Sequence, residues 1–223
     1  MEKKIQWETD IKSTLIKAKA ANKPVFLYIM NPPCPSCQEM DRVTYSNEKV
    51  IEFIGENVVP VRIVAPESQA LVKDFNLTRT PMWLILNSGG VEDHRTVGFF
   101  SPEDLIPTMM LGIAKAQFNQ GRFDEALSTL EKLLVEYPED DSIPEAIYLR
   151  GGTLFRITRD RRHLREIYEQ LQAEHPLSAW TKRAYPYRLI QMGDWVYGDS
   201  GSEQAGNGGN EPSHEKGGDF RHI

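Results

Sequence analysis

Apolar positions in the N-terminal half of the chain follow two different patterns. From Thr9 to Ala21 they recur at steps of three and four residues, which predicts a helix that ends at Lys23-Pro24. Elsewhere they form short continuous runs that are rich in strand-forming side chains and too short for independent helices. We interpret these runs, 25–30, 58–64 and 82–86, as strands, and the first of them as buried on both faces.

Segments with helical spacing separate these strands, and a hairpin closes the pattern. The helical segments are 35–43, 47–54 and 68–75. Asn87 to Gly90 is predicted to be a turn that leads into a loosely alternating strand from Glu92 to Gly98. Strands separated by helices predict parallel crossovers, the terminal hairpin makes the sheet mixed, and Ser101-Pro102 begins a closing helix. Residues 1–112 are therefore predicted to form an α/β domain.

The second half of the chain has purely helical periodicity. A leucine-rich stripe over 123–134 ends at Tyr137-Pro138, and His175-Pro176 ends a second helical unit 38 residues later. This weak repeat predicts two helical hairpins, with a capping helix over 178–192 that covers the last apolar face. An unrelated helical bundle is the alternative. We assign the helical module to residues 113–197.

Composition narrows the classes of function. Lys and Arg number 26 against 32 Asp and Glu, so the net charge is −6 and no nucleic-acid partner is expected. The apolar runs are far shorter than the roughly 18 residues of a membrane span, and residues 1–10 lack the apolar stretch of an export signal, so we expect a cytoplasmic protein. Residues 198–223 contain 7 glycines and almost no apolar side chains, which predicts a disordered tail.

The candidate chemistry lies in the only two cysteines of the chain, Cys34 and Cys37. If a helix begins just after Cys34, the free N–H groups of its first turn and the helix dipole stabilise the Cys34 thiolate. Pro35 suits such a helix start, since first-turn N–H groups have no helical partner. Cys37 lies one turn along and is expected to be more buried and less ionised. We predict that Cys34 attacks a disulfide and that Cys37 resolves the adduct.

Two other interpretations of this cysteine pair stay open. A CxxC pair can be half of a zinc site, but such a site needs two further ligands at suitable spacing, and the five histidines are scattered along the chain. The two cysteines can also be inert core residues. We predict neither a metal nor a cofactor.

Residues 7–111 resemble the thioredoxin superfamily. A strand, a CxxC at a helix start, Thr80-Pro81 before a later strand, and Gly98 before the last helix occur in that family's order. Within the superfamily, Trp7, residues 18–25 and Cys37-Gln38-Glu39-Met40 look like the branch that contains the C-terminal domain of the membrane thiol:disulfide interchange reductase. The helical module resembles tetratricopeptide repeats, and the residues that carry this resemblance are Ala126, Pro138, Tyr148, Gly152, Phe155, Tyr168 and Pro176.

The thioredoxin resemblance implies a substrate site around the cysteines. It implies that Pro81 is cis and lies beside the two sulfurs, and that the backbone of Thr80 pairs with an extended substrate segment. An ordinary trans turn proline is the alternative. Pro35 and Ser36, between the cysteines, complete the predicted substrate contacts.

The chain departs from the thioredoxin pattern at three places. Tyr28 stands where thioredoxin has a buried acid, so another proton acceptor for the second cysteine is needed. Pro32-Pro33 replaces a tryptophan before the first cysteine, and Pro35-Ser36 replaces Gly-Pro between the cysteines. The reduction potential of thioredoxin therefore does not transfer to this chain.

Three hypotheses about function follow. The first is a thiol-disulfide oxidoreductase that reduces protein disulfides, draws electrons from an unidentified donor, and uses the helical module to recruit a client or partner protein. The second is a non-catalytic adaptor or co-chaperone. The third is a redox sensor in which the dithiol state alters binding by the repeats.

Overall fold

Strand β1 (Val25–Met30) lies inside a four-stranded sheet in the computed structural model, which describes residues 4–191. The strand order is β2 (Val59–Val64), β1, β3 (Met82–Leu86) and β4 (Glu92–Val97). β1 pairs with β2 in parallel and with β3 in antiparallel register, and β3 pairs with β4 in antiparallel register. Every residue of β1 and β3 is buried, as continuous apolar runs predict. The predicted mixed sheet is confirmed.

Helices cover both faces of this sheet. They are α1 (Ile11–Ala21), α2 (Pro35–Glu39), α3 (Glu48–Asn57), α4 (Gln69–Asp74) and α5 (Pro102–Asn119), with a π-helical turn at Met40–Thr44 and a 3₁₀ turn at Ala65–Glu67. α1 and α4 pack on the face that carries Leu27 and Leu84, whereas α2, α3 and α5 pack on the face that carries Phe26 and Trp83. Helix α1 begins at Ile11, directly after Asp10, whose carboxylate accepts the Ser13 N–H at 2.8 Å and caps the helix.

Helix α5 packs against the sheet and also against α6 (Phe123–Glu136) in the helical module. Buried side chains occur on nearly all of its sides, which is typical of a helix enclosed by other elements. Gly112 allows the closest approach to the sheet, since a Cβ there would lie 2.8 Å from Ile85 Cγ1 and 3.1 Å from His94 Cβ. The predicted boundary between residues 112 and 113 lies within this continuous helix, and the division into domains stays a prediction.

The helical module consists of two hairpins and a short cap. α5 pairs with α6 (Phe123–Glu136), α7 (Ile143–Thr158) pairs with α8 (Arg162–Glu174), and α9 (Ala179–Ala184) packs on the second hairpin. The predicted capping helix over 178–192 is wrong in its length. The α-helix stops after Ala184 because Pro186 has no N–H to donate, and a 3₁₀ turn, Tyr185–Leu189, follows.

One apolar core runs from the sheet into the helical module. It begins at Phe26 and Trp83, continues through α5, and ends at Leu171 and Ala184, all of them buried. The predicted tail over 198–223 lies outside the described residues. Within residues 4–191, no helix is both long enough and apolar enough to cross a membrane.

Gly151 offers a test of the α7 and α8 contact. A Cβ on Gly151 would lie 2.6 Å from Ile167 Cδ1 and 3.1 Å from the His163 carbonyl oxygen, so we expect Gly151→Ala to lower the free energy of unfolding by about 1–3 kcal/mol. Gly55→Ala is the matched control. A Cβ at residue 55 would enter open space within α3, so we expect Gly55→Ala to raise the free energy of unfolding by roughly 0.5–1 kcal/mol. Urea denaturation measures both, and equal effects of the two substitutions would contradict this packing.

Candidate active site

Cys34 lies at the point where the chain leaves β1 and enters α2. It is the N-cap residue of α2, with extended backbone angles of φ −75° and ψ 116°, and Pro35 occupies the first turn. The Cys37 backbone N–H donates to Cys34 Sγ at 3.3 Å. The helix start predicted from the sequence therefore holds the Cys34 sulfur against a first-turn N–H group, where negative charge is favoured.

Cys37 occupies the inner side of the same helix. It has no exposed surface, whereas Cys34 is partly exposed and Pro35, between them, is exposed. Cys34, the predicted attacking thiol, is thus accessible to solvent, and Cys37, the predicted resolving thiol, lies in the core.

The Thr80-Pro81 segment closes the site from the other side. The peptide bond between Thr80 and Pro81 is cis, as the family resemblance implies. The Cys34 thiol donates to the Thr80 carbonyl oxygen at 3.3 Å, and the Gly98 N–H donates to the Pro81 carbonyl oxygen at 2.9 Å. The Thr80-Pro81 segment therefore lies against Cys34 on one side and is held by Gly98. The predicted substrate contacts of Thr80, Pro81, Pro35 and Ser36 stay a prediction, although all four flank the cysteines.

The two thiols differ in their electrostatic surroundings. Burial raises the pKa of the Cys34 thiol, but hydrogen bonds with the side chains of Cys37 and Thr80 and with the Cys37 and Ser36 N–H groups outweigh burial and bring that pKa below its usual value. Burial, and then the contact with Cys34, raise the pKa of the Cys37 thiol. The surroundings therefore favour the thiolate of Cys34 and disfavour that of Cys37, as a nucleophile and a resolving thiol require.

A polar and aromatic cluster, which the sequence did not predict as a group, lies beside the active-site helix. We call it the Arg62 cluster, and its members are Trp7, Tyr28, Asp41, Tyr45 and Arg62. The Arg62 guanidinium lies 4.6 Å from the ring centroid of Trp7 and 5.3 Å from that of Tyr28, and it forms an ion pair with Asp41. One sequence signal for this cluster exists: Arg62 is the only charged residue in the strand VPVRIV.

The π-helical turn at Met40–Thr44 follows directly on the active-site helix. Such single turns often occur at functional sites. Here Thr44 Oγ1 donates to the Phe100 carbonyl oxygen at 2.6 Å and the Phe100 N–H donates to Met40 Sδ at 3.2 Å. These contacts anchor the turn to the loop that follows Gly98, so Asp41 projects from a fixed segment.

No group of three potential metal ligands occurs in the part of the chain that the structure describes. Both cysteines are free thiols.

The reactivity of Cys34 gives a direct test of these surroundings. We expect iodoacetamide to alkylate Cys34 with a midpoint below pH 8.5, the approximate value for free cysteine, because the folded protein favours its thiolate. Cys37 should stay unmodified in the folded chain. Peptide mass spectrometry after timed alkylation distinguishes the two sites. Cys34→Ser is the control that isolates Cys37, and a Cys34 midpoint at or above 8.5 would contradict the assignment.

Comparison with families of known proteins defines the class to which this site belongs. The family model described as Thioredoxin-like matches residues 6–88, and the one described as Tetratricopeptide repeat matches residues 109–140. The chain therefore contains a thioredoxin-like domain followed by tetratricopeptide repeat helices. Both family resemblances stated from the sequence are confirmed.

Among individual proteins, the chain is similar to the thiol:disulfide interchange protein DsbD of Ralstonia nicotianae. The two are 26% identical over 113 residues, an alignment that covers 49% of this chain and 19% of that protein. The chain thus matches only a small part of that relative's length.

Two solved structures with similar folds are a thioredoxin from Thermus thermophilus and the C-terminal domain of Neisseria meningitidis DsbD in the oxidised form. The first is 22% identical with a TM-score of 0.46, over 55% of this chain and 96% of that one. The second is 23% identical with a TM-score of 0.42, over 48% of this chain and 98% of that one.

Proposed function

We propose that this protein reduces disulfides in client proteins through the Cys34 and Cys37 dithiol. The Cys34 thiolate attacks one sulfur of the client disulfide and forms a mixed disulfide. This first attack releases the other client sulfur as a thiol. Cys37 then attacks Cys34 Sγ, the client sulfur bonded to Cys34 leaves as a thiol, and the chain retains an intramolecular disulfide. A separate donor returns two electrons to Cys34 and Cys37.

The observation that carries this proposal is the contrast between the two thiols. Cys34 is partly exposed, bonded to a first-turn N–H and lowered in pKa, while Cys37 is buried and raised in pKa. Inert core cysteines would both be buried, with no difference in exposure or thiol pKa between them. A zinc site is not favoured either, because no suitable ligand group occurs among the described residues.

The tetratricopeptide helices support a second part of the proposal, in which the helical module binds a protein, either the client or a partner. Repeat arrays of this kind present extended surfaces for protein binding. Continuity of the core through α5 holds that surface in a fixed position relative to Cys34. We further propose that the protein works in a reducing compartment such as the cytoplasm, where the dithiol rests in its reduced form.

The equilibrium reduction potential of the dithiol tests the proposed direction of electron flow. The full chain is equilibrated in glutathione and dithiothreitol buffers, and the free thiols are counted after acid quenching and alkylation. We expect a potential near or below about −250 mV, as for thioredoxin-like reductants. A potential above about −200 mV would instead indicate an oxidant or isomerase. If the dithiol exchanges with neither buffer, the reductase proposal fails and the adaptor hypothesis is favoured. Capture of a client protein by the double cysteine-to-serine variant would then support the adaptor hypothesis.

A further inference from the structure

His94 lies where the sheet and helix α5 meet. It belongs to the edge strand β4, opposite Ile85 of β3, and its ring centroid is 5.5 Å from that of Trp83. α5 approaches the same ring closely, since a Cβ on Gly112 would lie 3.1 Å from His94 Cδ2. The imidazole is therefore enclosed between the sheet and α5, in a place that the proposed reaction does not use.

Lys115 connects this imidazole to the helical module. It follows Gly112 by three residues on α5, so both residues lie on one side of that helix. The Lys115 ammonium nitrogen is 3.3 Å from His94 Nδ1, and it also forms an ion pair with the Glu145 carboxylate of α7. Only 24% of the Lys115 side chain and 19% of the Glu145 side chain are exposed, so the ion pair is largely shielded from water. One lysine therefore ties β4 to α7.

The contact with Lys115 requires an uncharged His94. An ammonium group donates hydrogen bonds and accepts none, so Nδ1 must be the acceptor and the ring proton must be on Nε2. Nε2 is buried and has no hydrogen-bond partner in the part of the chain that the structure describes. A second proton, on Nδ1, would replace the hydrogen bond by repulsion between two cations. Burial, and then the charge of Lys115, accordingly lower the pKa of His94 to about 3.

The carboxylates of the surrounding elements already have partners. On β4, Glu92 pairs with Arg95, and Asp93 accepts a hydrogen bond from Asn119 of α5 at 2.6 Å. Burial also raises the pKa of Asp93, which disfavours its anion. On α7, Glu145 pairs with the lysine, and β3 contributes only apolar side chains. The surroundings are therefore compatible with a neutral imidazole and not with a charged one.

We propose that His94, Lys115 and Glu145 form an acid-sensitive junction between the sheet and the helical module, in which a proton on His94 releases the C-terminal half of α5, and α7 with it, from β4. At neutral pH the uncharged ring accepts the Lys115 hydrogen bond and the junction is closed. When the junction opens, water reaches the ring, and a protonated ring can donate from both nitrogens to water. Acid therefore favours the open form, in which the helical module loses its fixed position relative to Cys34. This inference does not depend on the proposed reductase activity.

The closed and open forms differ in the pKa of His94. In the closed form that pKa is about 3, and in the open form the hydrated ring has the ordinary value of about 6.5. The equilibrium constant for opening therefore rises as the pH falls below about 6.5, and it stops rising near the pKa of the closed form. Between pH 7 and pH 5 we expect this constant to increase by about 25-fold.

Hydrogen–deuterium exchange followed by peptide mass spectrometry measures this opening in the full-length chain. Protection factors at pH 7 and pH 5 are compared after correction for the intrinsic pH dependence of amide exchange. We expect peptides from β4, the C-terminal half of α5 and the start of α7 to lose about 25-fold in protection. At both pH values these junction peptides should exchange faster than peptides from β1, because the junction opens without unfolding of the sheet.

Three variants separate the titration of His94 from a general effect of acid. His94→Asn places an uncharged acceptor, Oδ1, near the position of Nδ1, and it should reduce the change between pH 7 and pH 5 to less than about threefold. His163→Asn is the matched control, because it removes a histidine that contacts Glu166 within α8, and it should keep the wild-type change. Glu145→Gln removes the ion pair with α7 and should lower the protection of α7 by roughly tenfold at pH 7.

An NMR titration of the histidine side chains tests the junction in the wild type, even if His94→Asn does not fold. His94 should stay neutral from pH 7 to pH 5 while the chain is folded. The inference is overturned if His94 titrates there with a midpoint near its ordinary pKa, or if His94→Asn keeps the wild-type pH dependence. It is also overturned if His163→Asn removes that dependence equally, if Glu145→Gln leaves the protection of α7 unchanged, or if the junction peptides exchange no faster than those of β1.

Discussion

Replacing Cys37 with serine is expected to stop the reaction at a covalent adduct between Cys34 and the client. Cys34 keeps its place at the helix start and its partial exposure, so attack continues. Resolution then depends on an external thiol, which lacks the high effective concentration of a thiol held in the same site. We expect turnover of a protein disulfide to fall by at least about 100-fold and the mixed disulfide to accumulate.

Mass spectrometry of the unreduced protein measures this adduct directly. The assay uses a model protein with an accessible disulfide, mixed in excess with the reduced chain and quenched with acid. Cys34→Ser is the matched control, since it retains Cys37 and should form no adduct because Cys37 is buried. An adduct that forms equally well on the Cys34→Ser variant would reverse the assigned roles. An adduct on neither variant would remove the reductase proposal.

The sheet could be predicted from the sequence because each strand carries its own signal. Runs 25–30 and 82–86 are apolar at every position, and the structure has strands with those same bounds. Local sequence also predicted the start of α2, since Pro35 and the spacing of the cysteines lie within one helical turn.

The sequence left open how the helical module joins the sheet. Residues 105–115 contain no Gly/Ser linker, which fits one continuous helix or two abutting helices, and the structure has one, α5. A sequence pattern shows that α5 is apolar, but it does not show that the sheet covers one side of α5 and α6 covers another. The spacing of apolar residues also did not predict the π-helical turn, because one turn of altered hydrogen bonding hardly changes that spacing.

The site was predicted as far as local spacing allows. Cys34, Cys37 and the Thr80-Pro81 segment follow from a motif and a family order, and the structure places them together. The Arg62 cluster did not follow, because Asp41 and Arg62 are 21 residues apart and meet only when β2 lies beside β1. The sequence showed that Tyr28 is not an acid, but not that Arg62 lies over the Tyr28 ring and pairs with Asp41.

Helix α5 should make the sheet and the helical module unfold together, because a single apolar core passes through it. Leu105→Ala removes a fully buried side chain from α5 and should cost about 2–5 kcal/mol, or roughly 4–20 °C in melting temperature. Leu171→Ala removes the same side chain, also fully buried, from α8 at the far end of the core. If the two parts are coupled, each variant should expose Cys37 to alkylation at the same denaturant concentration at which far-ultraviolet circular dichroism records its loss of helix. Loss of helix in Leu171→Ala while Cys37 stays protected would instead show that the helical module unfolds on its own, and the fixed placement of its surface relative to Cys34 would then have no support.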